Sequence, residues 1–159
     1  EESYGYLTGS YVRDKDAVDG SLMICEMFAY YKTHDQSLLD VLNGLYAKYG
    51  YCLNTLHSYE FDGAAGFEKM QGIMKKFRQE TPDFGSKALV ECLDYAKGLD
   101  GLPKSDVLKF ILADHCSVVV RPSGTEPKLK TYISVSAENK EAAAAIEAQI
   151  TEKLSQYFL

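Results

Sequence analysis

Residues Arg121-Pro122-Ser123-Gly124-Thr125-Glu126-Pro127 concentrate the groups in this chain best suited to chemistry. Arg121 supplies a planar guanidinium that can grip two oxygens of one anion. Ser123 and Thr125 supply hydroxyl donors. Gly124 removes side-chain bulk, so backbone N–H groups can point into a concave site. Pro122 and Pro127 each fix one φ angle and stiffen the ends of the run. Lys128 and Lys130 add positive charge, and Lys130 lies on the returning segment, where it can face the same site as Arg121. Two readings fit the residues. One is a hairpin turn with Gly124 at positive φ and a solvated arginine. The other is an anion site, and the density of donors favours it, with phosphate as the anion. Glu126 would repel phosphate if it pointed inward, so it is expected to point out or to pair with Lys128 or Lys130.

Such a loop needs strands to hold it. Residues 116–120 (CSVVV) run straight into Arg121, and 129–135 (LKTYISV) leave the loop in good alternation; both are expected as strands. Residues 51–61 and 107–112 are further strands. Residues 87–95 fit a strand or a short helix, and the strand is preferred. Gly63 and Gly66 open a helix carrying Phe67, Met70, Ile73, Met74 and Phe77. A long helix over 139–158, capped by Ser136 or Asn139, carries the apolar residues Ala143, Ile146, Ile150 and Leu154. Ahead of these, 1–15 read as a loop. A helix follows from Asp16 to about Lys32, with Val18, Leu22, Cys25, Met27 and Phe28 near helical spacing. A second helix starts near Leu38, capped by Asp35 or Ser37, and ends at Gly50. The pattern changes at Tyr49-Gly50-Tyr51, which is read as a domain boundary and a hinge.

The fold class is α+β. An antiparallel sheet of about four strands carries helices on one face, preceded by the helical tail of an α/β domain. The domains are 1–50 and 51–159.

A net charge of −6 argues against a nucleic-acid surface, which needs a basic face. No apolar run reaches the ~18 residues that span a bilayer, and the opening EESYGY is neither a signal nor a transit peptide. Cys25, Cys52, Cys92 and Cys116 form no CxxC pair and read as buried free thiols of a cytoplasmic protein. His34, His57 and His115 lack ligand spacing, so no metal site is expected. The chain opens without Met on an irregular Gly/Tyr segment and is read as part of a longer protein.

The run RPSGTEPK resembles the C-terminal phosphate-binding loop of the α-D-phosphohexomutases, the phosphoglucomutases and phosphomannomutases. Glu1-Glu2-Ser3-Tyr4-Gly5-Tyr6 resembles the family's sugar-recognition loop, G-E-x-S, with the leading Gly absent. Arg13-Asp14-Lys15-Asp16-Ala17 resembles the R-[DE]-K-D-[GA] run found just beyond it. Order and spacing agree along all 159 residues.

The resemblance implies an enzyme that interconverts hexose 1-phosphate and hexose 6-phosphate through a phosphoserine and a bisphosphate intermediate. It implies Glu1 and Ser3 on the sugar hydroxyls, and Lys15 near the substrate as a charge-stabilising or proton-transfer group. Arg121, Ser123, Gly124, Thr125 and Lys130 would hold the phosphate that is not transferred. Residues 1–50 would then be the C-terminal part of the sugar-binding third domain, and 51–159 the phosphate-binding domain. Mg²⁺ and glucose 1,6-bisphosphate, as activator, are implied for the full-length enzyme, with the remaining N-terminal domains as partners. The T-x-S-H-N-P-type serine loop and the D-G-D-x-D-R-type metal loop are not in this sequence, so the chain alone is expected to be inactive. Some relatives carry a histidine in the sugar loop, where Ser3-Tyr4-Gly5-Tyr6 has none. That leans towards glucose phosphate, with phosphomannomutase specificity as the alternative. A non-catalytic phosphosugar-binding module and a purely structural domain are the other readings.

Overall fold

The computed structural model describes residues 5–99 and 101–158. The chain forms two compact units, Glu1–Tyr49 and Gly50–Leu159.

The first unit holds α1 (Ala17–Thr33) and α2 (Leu38–Tyr49). Asp16 caps α1 by accepting from the N–H groups of Val18 at 2.7 Å and Asp19 at 3.3 Å. Ser37, not Asp35, starts α2. Its Oγ accepts from the Asp40 N–H, and the Asp40 carboxylate accepts back from the Ser37 N–H, a reciprocal cap. The preceding loop folds onto α1, with the Asp16 N–H donating to the Tyr6 carbonyl at 2.9 Å and the Tyr6 ring lying over Gly20. Gly20 is the sole buried residue of α1, and α2 buries none. Val18, Leu22, Met27 and Phe28, the expected apolar stripe, are exposed.

The second unit runs β1 (Tyr51–Glu60), α3 (Gly63–Gln79), β2 (Leu89–Asp94), a 3₁₀ turn (Tyr95–Lys97), β3 (Leu108–Leu112), β4 (Ser117–Pro122), β5 (Lys128–Ala137) and α4 (Lys140–Phe158). The sheet has five strands in the order β1-β5-β4-β3-β2, and every pairing is antiparallel. This is the expected α+β class; the sheet has five strands where about four were anticipated, and 89–94 is extended, the preferred reading of that segment. Period-two burial explains the layering. Leu108, Phe110 and Leu112 of β3, Val118 and Val120 of β4, and Leu129, Ile133 and Val135 of β5 are all buried. They join Met70, Ile73, Met74 and Phe77 of α3 and Ala143, Ile150, Leu154 and Phe158 of α4 in a single core. Both helices therefore cover the same face. Asn139, not Ser136, caps α4, through the Ala142 N–H at 2.9 Å.

The expectation of buried thiols fails for three of the four cysteines. Cys25, Cys52 and Cys92 are exposed, and Cys116 alone is buried. Cys52 alternates with Leu53 on β1, which puts it away from the helices, so an apolar neighbourhood in sequence did not mean burial. Phe67 is also exposed, displaced from the buried stripe of α3. No helix among the described residues is long and apolar enough to cross a membrane.

Candidate functional site

The two hairpins that flank β4 differ in kind. Between β3 and β4, Asp114 and His115 both take positive φ, at 57° and 58°, as a tight two-residue turn requires. The connection from β4 to β5 is longer and contains no residue of positive φ. Gly124 is therefore not there to permit a left-handed turn, and a Cβ built on it would meet nothing within 4 Å. Neither backbone conformation nor crowding accounts for this glycine, which disfavours the simple hairpin-turn reading.

The loop is tied at both ends. The Ser123 N–H donates to the Lys128 carbonyl at 2.7 Å, and the Phe61 N–H donates to the Pro127 carbonyl at 2.8 Å. Inside it, the N–H groups of Thr125 and Glu126 both point at the Ser123 Oγ, at 3.4 and 3.3 Å. Two amides thus converge on one oxygen, an arrangement suited to an anionic oxygen as well as to a hydroxyl.

The cations divide. Lys128 pairs with Glu60 at 2.8 Å and lies 3.9 Å from Glu126. Glu126 therefore points outward and towards Lys128, as expected. The Lys128 ammonium, by hydrogen bond and charge, holds the Glu60 carboxyl below its ordinary value. Arg121 is exposed and its side chain makes no ion pair or hydrogen bond among the described residues. It stands directly opposite Lys130 in the β4–β5 register.

Arg121, Pro122, Ser123 and Gly124 line one side of a pocket of about 320 Å³. Phe67 and Gln71 of α3, with Ser105 and Asp106 from the segment before β3, line the other. Thr125 and Lys130 stand outside this lining. Sequence reasoning missed the second wall. Its residues lie far from the loop in the chain, and only the topology brings them to one end of the sheet. Asp106 is held by Arg78, whose Nη2 donates to its Oδ1 at 2.5 Å, while Nε donates to Asp94 at 3.2 Å. A neighbouring hollow of about 300 Å³ is lined by Glu60, Asp62 and Glu126 with Lys128, a poor setting for phosphate.

In the first unit, Lys15 lines a separate hollow of about 460 Å³ with Gly5, Tyr6, Leu7, Arg13 and Asp14. Its aliphatic stem packs on Gly5 so closely that a Cβ there would come within 2.5 Å of Lys15 Cδ. Glu1 and Ser3 lie outside the described residues. Among the described residues no three His, Cys, Asp or Glu side chains gather as a metal site would need.

Fold and loop together define a class: a two-layer α+β domain whose sheet ends in a proline-flanked Arg–Ser–Gly–Thr loop. Comparison with known proteins takes this further. Residues 62–153 match the family model described as phosphoglucomutase/phosphomannomutase, C-terminal domain. A phosphoglucomutase of Staphylococcus aureus (strain bovine RF122 / ET3-1) is 37% identical over 163 residues, covering 94% of this chain and 29% of the relative. A phosphoglucomutase of Staphylococcus epidermidis (strain ATCC 12228 / FDA PCI 1200) is 35% identical over 156 residues, covering 91% of this chain and 28% of its own length. The open form of pp63/parafusin from Paramecium, itself a phosphoglucomutase, shares the fold with a TM-score of 0.63 at 21% identity, over 99% of this chain and 30% of that one. The chain belongs to the phosphoglucomutase/phosphomannomutase C-terminal domain family. It spans less than a third of the length of the curated relatives it matches.

Proposed function

We propose that this chain is the C-terminal part of an enzyme interconverting hexose 1-phosphate and hexose 6-phosphate, and that the 121–125 loop holds the phosphate that is not transferred. The observation that carries the reading is Arg121. It is an exposed arginine with no partner among the described residues, lining a pocket with Ser123 and an otherwise unexplained Gly124. A guanidinium fork and a serine hydroxyl can together bind several phosphate oxygens. Lys130, across the register from Arg121, adds charge to the same end of the sheet.

In this reading 1–50 belong to a sugar-binding domain in which Glu1 and Ser3 meet the sugar hydroxyls. Lys15, in its own hollow, stabilises charge near the substrate. The phosphoserine, the Mg²⁺ ligands and the response to glucose 1,6-bisphosphate belong to the part of such an enzyme beyond this chain. The described residues offer no ligand set for the metal, and the 159-residue chain alone is expected to be inactive. The parent would be a cytoplasmic enzyme of carbohydrate metabolism.

Calorimetric titration with glucose 1-phosphate tests the loop. Binding should be weak, since one loop offers few contacts. Arg121→Ala should weaken it by about 1.5–3 kcal/mol, roughly 10- to 150-fold, the contribution of charged hydrogen bonds. Binding that ignores Arg121 would sink the proposal.

A further inference from the structure

The pocket beside the loop has a second wall whose features the phosphate does not explain. Phe67 is 48% exposed, although Met70, Ile73, Met74 and Phe77 on the same helix are buried. The core has no use for it. Gln71 follows four residues later on α3, a spacing that sets the two side chains on one face. Asp106 gives one oxygen to Arg78 and keeps a side chain 37% exposed. A carboxylate accepts more hydrogen bonds than this one ion pair uses.

The two ends of the pocket therefore differ in chemistry. At one end stand Arg121, Ser123 and an uncrowded Gly124. At the other stand an acceptor carboxylate, a side-chain amide and an aromatic face. Asp106 would repel a phosphate, so the anion is confined to the Arg121 end. Asp106 and Gln71 are suited to hydroxyls, and the Phe67 ring to the apolar C–H edge of a ring. That is the complement of a phosphate monoester of a polyhydroxylated ring. A volume of about 320 Å³ lies at the small end of the ligand-site range of about 300–1,000 Å³.

We infer that Phe67, Gln71 and Asp106 bind the organic part of the phosphorylated ligand whose phosphate the 121–125 loop holds; the inference rests on that reading of the loop. The wall adds positioning contacts from within this domain itself. It discriminates a sugar phosphate from free phosphate.

The test follows amide NMR shifts of the 159-residue chain titrated with inorganic phosphate and with glucose 1-phosphate. Glucose 1-phosphate should bind roughly tenfold more tightly, the equivalent of one or two neutral hydrogen bonds plus ring contact. Phe67→Ala combined with Gln71→Ala should erase that preference and leave phosphate binding unchanged. Both side chains are exposed, and a preserved spectrum will confirm that the fold is intact. Arg121→Ala should weaken both ligands. If Arg121→Ala weakens binding but the double variant keeps the preference, or the native chain has none, the second wall is overturned and the loop reading stands. If neither ligand binds, or Arg121→Ala changes nothing, the loop reading falls and takes the second wall with it.

Discussion

Glu147 shows how a single side chain can hold two elements together. It projects from α4, and its Oε1 accepts from Thr55 Oγ1 at 2.8 Å and Thr151 Oγ1 at 3.0 Å, with His57 Nε2 at 2.7 Å. Thr55 and His57 come from β1, so the carboxylate joins the last helix to the edge strand. Burial alone would raise its pKa. Hydrogen bonds from His57, Thr55 and Thr151, with the charge of His57, outweigh that and hold it below the ordinary value. A carboxyl depressed in the folded state stabilises the fold above its unfolded pKa, and this is lost as pH falls through the folded value. Glu147→Ala should therefore cost about 1–3 kcal/mol at pH 7, the penalty for partly buried donors left unpaired. Urea unfolding should show that penalty shrinking from about pH 4.5 downward, where an unperturbed glutamate takes up its proton. A penalty constant from pH 7 to pH 3 would refute the role given to the charge. Residues differ in how far sequence alone reveals such roles. Arg121, Ser123, Gly124 and Thr125 are contiguous, so their shared chemistry is visible before any fold is known. The Glu147 cluster and the Phe67–Asp106 wall are assembled from segments far apart in the chain, and no local pattern announces them.

Elements were legible where periodicity was strong and one face was buried. β3, β4 and β5 alternate between buried and half-buried residues, and α3 carries a clear apolar stripe. What stayed hidden is which glycines serve packing. Gly66 reads as a helix-opening residue, yet its reason is a close approach: a Cβ there would come within 2.6 Å of the Phe61 carbonyl carbon. On the same helix, a Cβ on Gly72 would meet nothing within 4 Å. The two substitutions should therefore have opposite signs. Gly72→Ala should stabilise by about 0.5–1 kcal/mol through reduced backbone freedom in the unfolded chain. Gly66→Ala gains the same and loses more to overlap with backbone, a net destabilisation of about 1–3 kcal/mol. Thermal unfolding of both variants decides the matter; matching shifts would refute the packing role of Gly66. The cysteines make the same point in reverse. Apolar neighbours suggested burial for Cys52, but alternation along β1 turned it outward.

At the scale of the molecule, the two units differ in what they bury. Gly50–Leu159 encloses a continuous core from β3, β4, β5 and both helices of that unit, with Tyr51 and Leu53 of β1 and Leu89 of β2 packed at its margin. Glu1–Tyr49 buries only Gly20 among its described residues and exposes Leu22, Met27, Phe28 and Tyr49. Hydrophobic burial is the main force opposing the conformational entropy of the chain. The second unit has a source of it and the first does not. Residues 50–159 expressed alone should therefore fold, with one cooperative urea transition and a stability of about 5–15 kcal/mol, the ordinary range for a domain. Residues 1–49 alone should show no cooperative transition, because a chain that short with no core cannot offset its entropy. Circular dichroism of the two pieces separates the cases. A cooperative transition in 1–49, or none in 50–159, would contradict the division. The reason is physical: α1 and α2 have helical spacing and good caps, which define helices, but caps and spacing do not supply the surface against which an apolar face must pack.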